Sequence, residues 1–234
     1  MKAVIIAAGM GSRLFNKTYG IPKTLLPFGK DTVLLTILKN FAQNGIRDFV
    51  IVVGYESELI TSYFEKNEFF GYNVNFVENQ EWKRGNGLSV LSAEKAVADE
   101  DFILSMSDHI VPANSISRLI KSDIRKNLLL VDKRCDKIFD IDDATKVIVE
   151  KNRIKQIGKN LKNYNGIDCG IFRLNNRYFN SMREQLEIGN ESISSAIDGL
   201  IKNDDMFAVF TEDHEDWIDI DTPEAYQYAL NKFS

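Results

Sequence analysis

An unbroken apolar run near the start of the chain passes straight into a turn almost free of side chains: Ala3-Val4-Ile5-Ile6, then Ala7-Ala8-Gly9-Met10-Gly11. A strand with one wet face alternates apolar and polar residues; one that does not alternate must be covered on both faces. Val4–Ile6 therefore predicts a buried strand in a parallel sheet with helices on either side. The turn adds a second constraint. Gly9 and Gly11 allow a tight bend and bring bare N–H groups close to a ligand. Ser12-Arg13-Leu14 follow, and then Pro22-Lys23-Thr24-Leu25-Leu26-Pro27. Bare backbone with Arg13 and Lys23 nearby suits the phosphates of a nucleoside triphosphate. Two other phosphate motifs are excluded. A dinucleotide fingerprint needs a third small residue where Leu14 stands, and a P-loop needs Ser or Thr after Gly29-Lys30, where the chain has Asp31.

The rest of the chain repeats the strand–helix rhythm. Strands are expected at Phe49–Val53, Val74–Val77 and Asp101–Met106, with helices over Asp31–Asn44, through Ile60 and Phe64, and over Leu88–Val97. Leu34, Leu35, Leu38, Phe41 and Ala42 form the stripe of the first helix, and Gly45 is its expected C-terminal stop. Later strands are expected at Leu128–Val131, Thr145–Val149, around Ile154 and Ile157, and at Gly170–Leu174, Phe207–Phe210 and Trp217–Ile220. Helices are expected at Ile193–Lys202 and Pro223–Asn231. The expectation is one α/β domain over residues 1–234, Rossmann-like. Its central sheet is mostly parallel with helices on both faces, and its cleft lies at the carboxyl ends of the strands.

Composition bounds the partners. At 234 residues, 44% hydrophobic and 27% charged, the chain suits one globular domain. A net charge of −5 without a basic block argues against nucleic acid. No apolar run reaches the ~18 residues of a membrane span, and Lys2 with five apolar residues does not make a signal peptide. Cys135 and Cys169, far apart and without metal-like neighbours, fit free thiols in a reducing cytoplasm.

Carboxylates mark the chemistry. Asp108 follows an apolar strand in Ser105-Met106-Ser107-Asp108-His109, where a carboxylate would point into the cleft and hold Mg²⁺. A second should come from Trp217-Ile218-Asp219-Ile220-Asp221-Thr222-Pro223. Asp219 and Asp221 are two apart and share a strand face, so either can reach the metal; Asp221 or Thr222 could instead cap the helix that Pro223 opens. His109 is read as a supporting or packing residue. His214, among acids, is read as solvated. Tyr164, Trp82 and Trp217 form no clustered aromatic cage in the sequence.

These segments resemble the sugar-1-phosphate nucleotidyltransferase superfamily, the nucleotide-diphospho-sugar transferase type of fold, over nearly the whole chain. That resemblance implies Mg²⁺-dependent transfer of a nucleoside monophosphate to a phosphorylated sugar or alcohol, with release of pyrophosphate. The N-terminal half would bind the nucleotide and the C-terminal half the acceptor. Arg13 would meet the β- and γ-phosphates and Lys23 the α-phosphate. Ala8, Gly9, Gly11, Ser12, Glu78 and Asn79, with Arg84-Gly85-Asn86-Gly87, would surround the nucleotide, the glycines admitting a flat base. Asp108 matches the family's metal aspartate. Lys159 matches its lysine for the acceptor phosphate, with Lys146 and Asp168 as further acceptor contacts.

A narrower resemblance is to CTP:inositol-1-phosphate cytidylyltransferases. It rests on Gly85-Asn86-Gly87-Leu88-Ser89, Ala144-Thr145-Lys146-Val147, Ile157-Gly158-Lys159 and Tyr164-Asn165-Gly166-Ile167-Asp168-Cys169-Gly170. Cys169 stands where that family usually has threonine. The implied reaction makes CDP-inositol from CTP and inositol-1-phosphate. The domain is often fused to a membrane enzyme in that family, so any such partner is expected here as a separate chain. The alternatives are transfer from another NTP to phosphocholine or a sugar-1-phosphate, or a silent nucleotide sensor. Retention of Arg13, Lys23 and Asp108 argues against the sensor.

Overall fold

A computed structural model of the chain describes residues 1–15 and 20–233. Among the described residues nine strands form one sheet: β1 (Lys2–Ala7), β2 (Asp48–Val53), β3 (Asn73–Glu78), β4 (Phe102–Met106), β5 (Asn127–Asp132), β6 (Lys146–Glu150), β7 (Arg153–Gly158), β8 (Gly166–Leu174) and β9 (Met206–Phe210). Their order is β3-β2-β1-β4-β8-β5-β9-β7-β6, and β6 returns to pair with the start of β8. β1 to β4 are mutually parallel, and β9 is parallel to β5. Only β7 and β8 run against the rest, so the sheet is mostly parallel, as expected.

β1 shows why. From Ala3 to Ala7 every residue is buried, and its side chains alternate between two cores. Ala3, Ile5 and Ala7 face one, Val4 and Ile6 the other. The first core is closed by α1 (Val33–Ala42), α2 (Ser57–Lys66), α4 (Ala113–Lys121) and α7 (Pro223–Phe233). The second is closed by α3 (Asn86–Ser92), α5 (Arg177–Glu187) and α6 (Ile193–Lys202). Thr32 caps α1 by accepting from the Leu35 N–H at 3.3 Å, and Gly45 follows that helix with φ +80°.

Two departures matter for the site. The stretch expected as a Trp217–Ile220 strand is strand only at Ile218–Asp219, and it pairs with His109–Ile110 outside the large sheet. The helix expected at Leu88–Val97 stops at Ser92 and resumes as a single turn at Glu94–Val97. Both cysteines are free, and no helix among the described residues is long and apolar enough to cross a membrane.

Candidate active site

The turn after β1 is built by its neighbours. The Tyr55 N–H donates to the Ala8 carbonyl at 2.9 Å, tying the turn to the end of β2. Gly9 has open space where a side chain would stand. Gly11 has φ +63°, and a Cβ there would press on the Lys23 stem at 2.9 Å. Gly11 is therefore needed both for the bend and to let Lys23 cross it. The side chain of Ser12 lies outside the described part of the structure.

Beyond the turn, cations and carboxylates alternate. Lys159 Nζ donates to Asp143 at 2.8 Å, and Asp143 accepts from Arg13 at 2.7 Å. Arg13 also pairs with Asp221, which accepts from Lys23 Nζ at 2.6 Å; Lys23 in turn pairs with Asp108. His109 Nδ1 closes the series 2.8 Å from Asp108. Burial works against the Lys23 charge, but Asp108 and Asp221 outweigh it and hold its pKa above the ordinary lysine value. Burial alone would raise Asp108; Lys23 and His109 outweigh it and keep that carboxyl below the usual range.

Asp219 is different. Burial, with Asp108 and Asp221 nearby, pushes it up to about 7 against the pull of His109 and Lys23. Its Oδ1 is buried, lies 3.7 Å from His109 Nδ1 and accepts no hydrogen bond from the described residues. Burial lowers His109, but facing Asp219 and Asp108 it rises to about 9. Ligand atoms of Asp108, His109 and Asp219 all lie within 4.8 Å of one another. Two carboxylates, one of them with an orphaned buried oxygen, fit a hard divalent cation, which takes oxygen donors. Asp221 does not stand apart from Asp108 by its pairing, because Arg13 and Lys23 occupy both of its oxygens as Lys23 and His109 occupy both of those on Asp108. Nor does Asp221 cap α7: the Thr222 hydroxyl accepts from the Ala225 N–H at 3.1 Å.

A cavity of about 240 Å³ opens beside this cluster, lined by Asp108, Asp143, Lys159, Asp168, Asp219 and Trp217 among others. Asp168 is aimed into it by a bulge. Four steps along β8, from Asp168 to Phe172, answer two along β5, from Val131 to Leu129. Gly170 sits in that bulge with φ +74°, donates its N–H to Asp168 Oδ1 at 2.7 Å, and leaves room for the His109 ring. Burial raises the Asp168 pKa to about 6 despite the Gly170 N–H and His109.

Several residues expected at the site have partners within the chain. Lys146 is buried and donates to the carbonyls of Asp142, Ala144 and Lys159 at 3.0–3.2 Å. Its three protons are taken by backbone, so it shapes the loop before β6 and does not line the cavity. A Cβ on Gly85 would meet the Glu191 backbone and one on Gly87 the Met182 sulfur and the Glu191 carbonyl, to which the Gly87 N–H donates at 2.9 Å. Asn86 lines the cavity while its Oδ1 accepts from Ile193 N. Arg84 is held by Glu81 and Glu191, and Asn79 bonds to Ser89. Glu78 ends β3 beside Val53 and is exposed. His214 is exposed, as expected. Of the three aromatics weighed for a cage, only Trp217 lines the cavity.

Sequence reasoning overlooked the scaffold of the second carboxylate segment. Arg134, 9% exposed, donates to both oxygens of Asp132, to Asp216, and to the carbonyls of Asp213 and Glu215. Trp217 Nε1 donates to Asp132 at 3.0 Å, and its ring stacks on His109 with centroids 5.7 Å apart. Glu215, also buried, accepts from Ser115, Arg118 and the Glu212 N–H. The Ile220 N–H donates to the Asp108 carbonyl at 2.9 Å, so the two acidic segments are stitched together. The clustering of acids around Arg134 was the available signal. Asp143, in the 138–145 segment, was also missed.

Comparison with known proteins finds similar chains. A family model described as nucleotidyl transferase matches residues 2–234. A bifunctional IPC transferase and DIPP synthase of Archaeoglobus fulgidus is 32% identical over 229 residues, covering 98% of this chain and 43% of that protein. Its namesake in Aquifex aeolicus is 33% identical over 227 residues, covering 97% of this chain and 50% of that protein. The chain thus spans about half the length of these relatives. The solved inositol-1-phosphate CTP transferase from T. maritima superposes with a TM-score of 0.85 at 26% identity, covering 99% of this chain and 95% of that one.

Proposed function

The chain belongs to the nucleotidyl transferase family, and from that premise we propose that it transfers CMP from CTP to inositol-1-phosphate, releasing pyrophosphate and forming CDP-inositol. The observation that carries the chemistry is the alternating series Lys159–Asp143–Arg13–Asp221–Lys23–Asp108. It sets three cations beside the carboxylate cluster, where two phosphorylated substrates must meet. The names of the similar proteins supply the substrates: they are an inositol-1-phosphate CTP transferase and bifunctional IPC transferases.

In this reading the acceptor phosphate oxygen attacks the α-phosphorus of CTP. Both reactants are anions, so the residues act mainly on charge. Lys23 neutralises charge that builds at the α-phosphate, and Arg13 holds the departing pyrophosphate. Ala8, Gly9 and Gly11 line its path with backbone. Asp108 and Asp219, with His109 beside them, would hold Mg²⁺, which when bound would supply positive charge to offset the repulsion between the phosphates. Lys159 would receive the acceptor's phosphate, and Asp168 would accept hydrogen bonds from its hydroxyls. The nucleotide side falls in the N-terminal half and the acceptor side in the C-terminal half. A cytoplasmic setting and an enzyme activity that consumes CDP-inositol belong to the same proposal.

The test is pyrophosphate release with Mg²⁺, crossing the four NTPs with inositol-1-phosphate, phosphocholine and several sugar-1-phosphates. Release with CTP and inositol-1-phosphate alone is the expected result. Release with another pair replaces the substrates. Nucleotide binding without release from any pair overturns the enzymatic reading in favour of a sensor.

A further inference from the structure

Asp143 stands where two of the proposed phosphate cations meet. Its Oδ2 accepts from Arg13 at 2.7 Å and its Oδ1 from Lys159 at 2.8 Å. Arg13 belongs to the turn after β1, and Lys159 directly follows β7, so one carboxylate joins the two halves of the site. Among the described residues Lys159 has no other ion-pair partner, whereas Arg13 also holds Asp221. Asp143 lies on the segment between β5 and β6 that lines the cavity through Ile138, Phe139 and Asp140. The Phe139 ring packs on Tyr228 of α7, with centroids 4.9 Å apart. Arg13 and Lys159 are 46% and 53% exposed, Asp143 35%. Ion pairs this wet exchange partners at little cost.

We infer that Asp143 is a positioning residue that couples donor and acceptor binding: it is a shared counter-carboxylate which the phosphate of either substrate displaces. The inference rests on the roles given above to Arg13 and Lys159. Without substrates, one carboxylate neutralises both cations and fixes their spacing. A phosphate that reaches Arg13 strips Asp143 of one partner. Asp143 is then fixed by Lys159 alone and yields more easily to the second phosphate. The first arrival breaks the bridge; the second meets it already broken. By linkage the effect is the same in either order. A half-exposed ion pair corresponds to an about two- to fivefold change in an equilibrium constant, which sets the size of the coupling.

The experiment is calorimetric titration of the full chain with inorganic pyrophosphate and with inositol-1-phosphate, each alone and each against a saturating amount of the other. The two do not react together, so binding is read without turnover. Each should bind about two- to fivefold more tightly in the presence of the other. In Asp143→Asn each should bind more tightly alone, and the coupling should vanish. Asp140→Asn, on the same segment and in no ion pair among the described residues, removes the same charge and should keep the coupling. Coupling of pyrophosphate with glucose-1-phosphate instead of inositol-1-phosphate supports the role of Asp143 and removes only the acceptor named above. Coupling with neither, or coupling undiminished in Asp143→Asn, overturns the inference.

Discussion

Asp219 carries a burial cost that His109, 3.7 Å from its Oδ1, offsets only in part. That buried oxygen accepts no hydrogen bond from the described residues, and the Asp219 pKa is raised from 3.8 to about 7. A carboxyl raised on folding costs nothing below its unfolded value; the cost grows as pH rises from about 4 to about 7 and is constant above that. Asp219→Asn, which keeps the shape and drops the charge, should therefore stabilise the metal-free protein at pH 8 by about 1–2 kcal/mol, allowing for partial solvation. Thermal melts in chelator should show the gap closing towards pH 4, while divalent-dependent turnover is lost. A variant less stable than wild type at pH 8 would remove the strained-carboxylate account. Lys23→Ala should lower kcat by roughly 10²–10³ while leaving CTP affinity within a few-fold, since the ammonium acts on charge made in the transition state. Equal losses in both would mean uniform binding instead. Gly85→Ala tests which neighbour demands the glycine. A methyl there meets the Glu191 backbone, so the expected outcome is destabilisation of roughly 1–3 kcal/mol without any nucleotide present. Unchanged stability with weakened CTP binding would restore the base-pocket reading.

At the scale of elements, the Arg134 clamp decides where Asp219 and Asp221 stand. Arg134→Ala leaves Asp132 buried and unpaired and frees the 213–217 segment, so roughly 3–5 kcal/mol of stability should be lost, read by urea denaturation. Glu215 makes the same loop pH-sensitive. Burial would raise its pKa, but Arg118, Ser115 and the Glu212 N–H pull it from 4.5 down to about 2. A depressed folded pKa stabilises above the unfolded value and is lost as pH falls, here between about 4.5 and 2. Glu215→Gln should flatten that part of the stability curve; parallel curves would place the acid sensitivity elsewhere. The elements were legible where one periodicity ruled. β1 and β2 read as unbroken apolar runs, and α1 as a clean stripe with its cap and glycine stop. α4 is short and was overlooked, although Ile116 and Leu119 share its buried face with Ser115, which bonds to Glu215. α5 scatters Tyr178, Phe179 and Met182 among polar residues. The β8 bulge was invisible because register depends on the partner strand. For the same reason composition could flag Lys146 as a cation but not show that carbonyls take its protons.

For the whole molecule, the sheet is two pieces joined at one antiparallel seam, where β8 meets β4. β1 to β4 bring the turn, Lys23 and Asp108 to one end; the C-terminal strands bring Lys159, Asp168 and the Asp219–Asp221 segment to the same end. The N-terminal motif was readable because its residues are contiguous, whereas the Asp143 bridge and the Arg134 clamp join residues far apart in sequence. A site assembled across a seam is complete only when both pieces are folded and docked. CTP with a divalent cation should therefore protect the entire fold. At 100 times its Kd a ligand adds about 2.7 kcal/mol, which for a chain of this size raises Tm by roughly 5–10 °C. The shift should exceed that of CTP in chelator, because the cation also relieves the repulsion around Asp219. Asp219→Asn should respond alike with and without the cation. If CTP shifts Tm equally in both conditions in the wild type, the cation is not held by the Asp108–Asp219 cluster, and the raised Asp219 carboxyl needs another purpose.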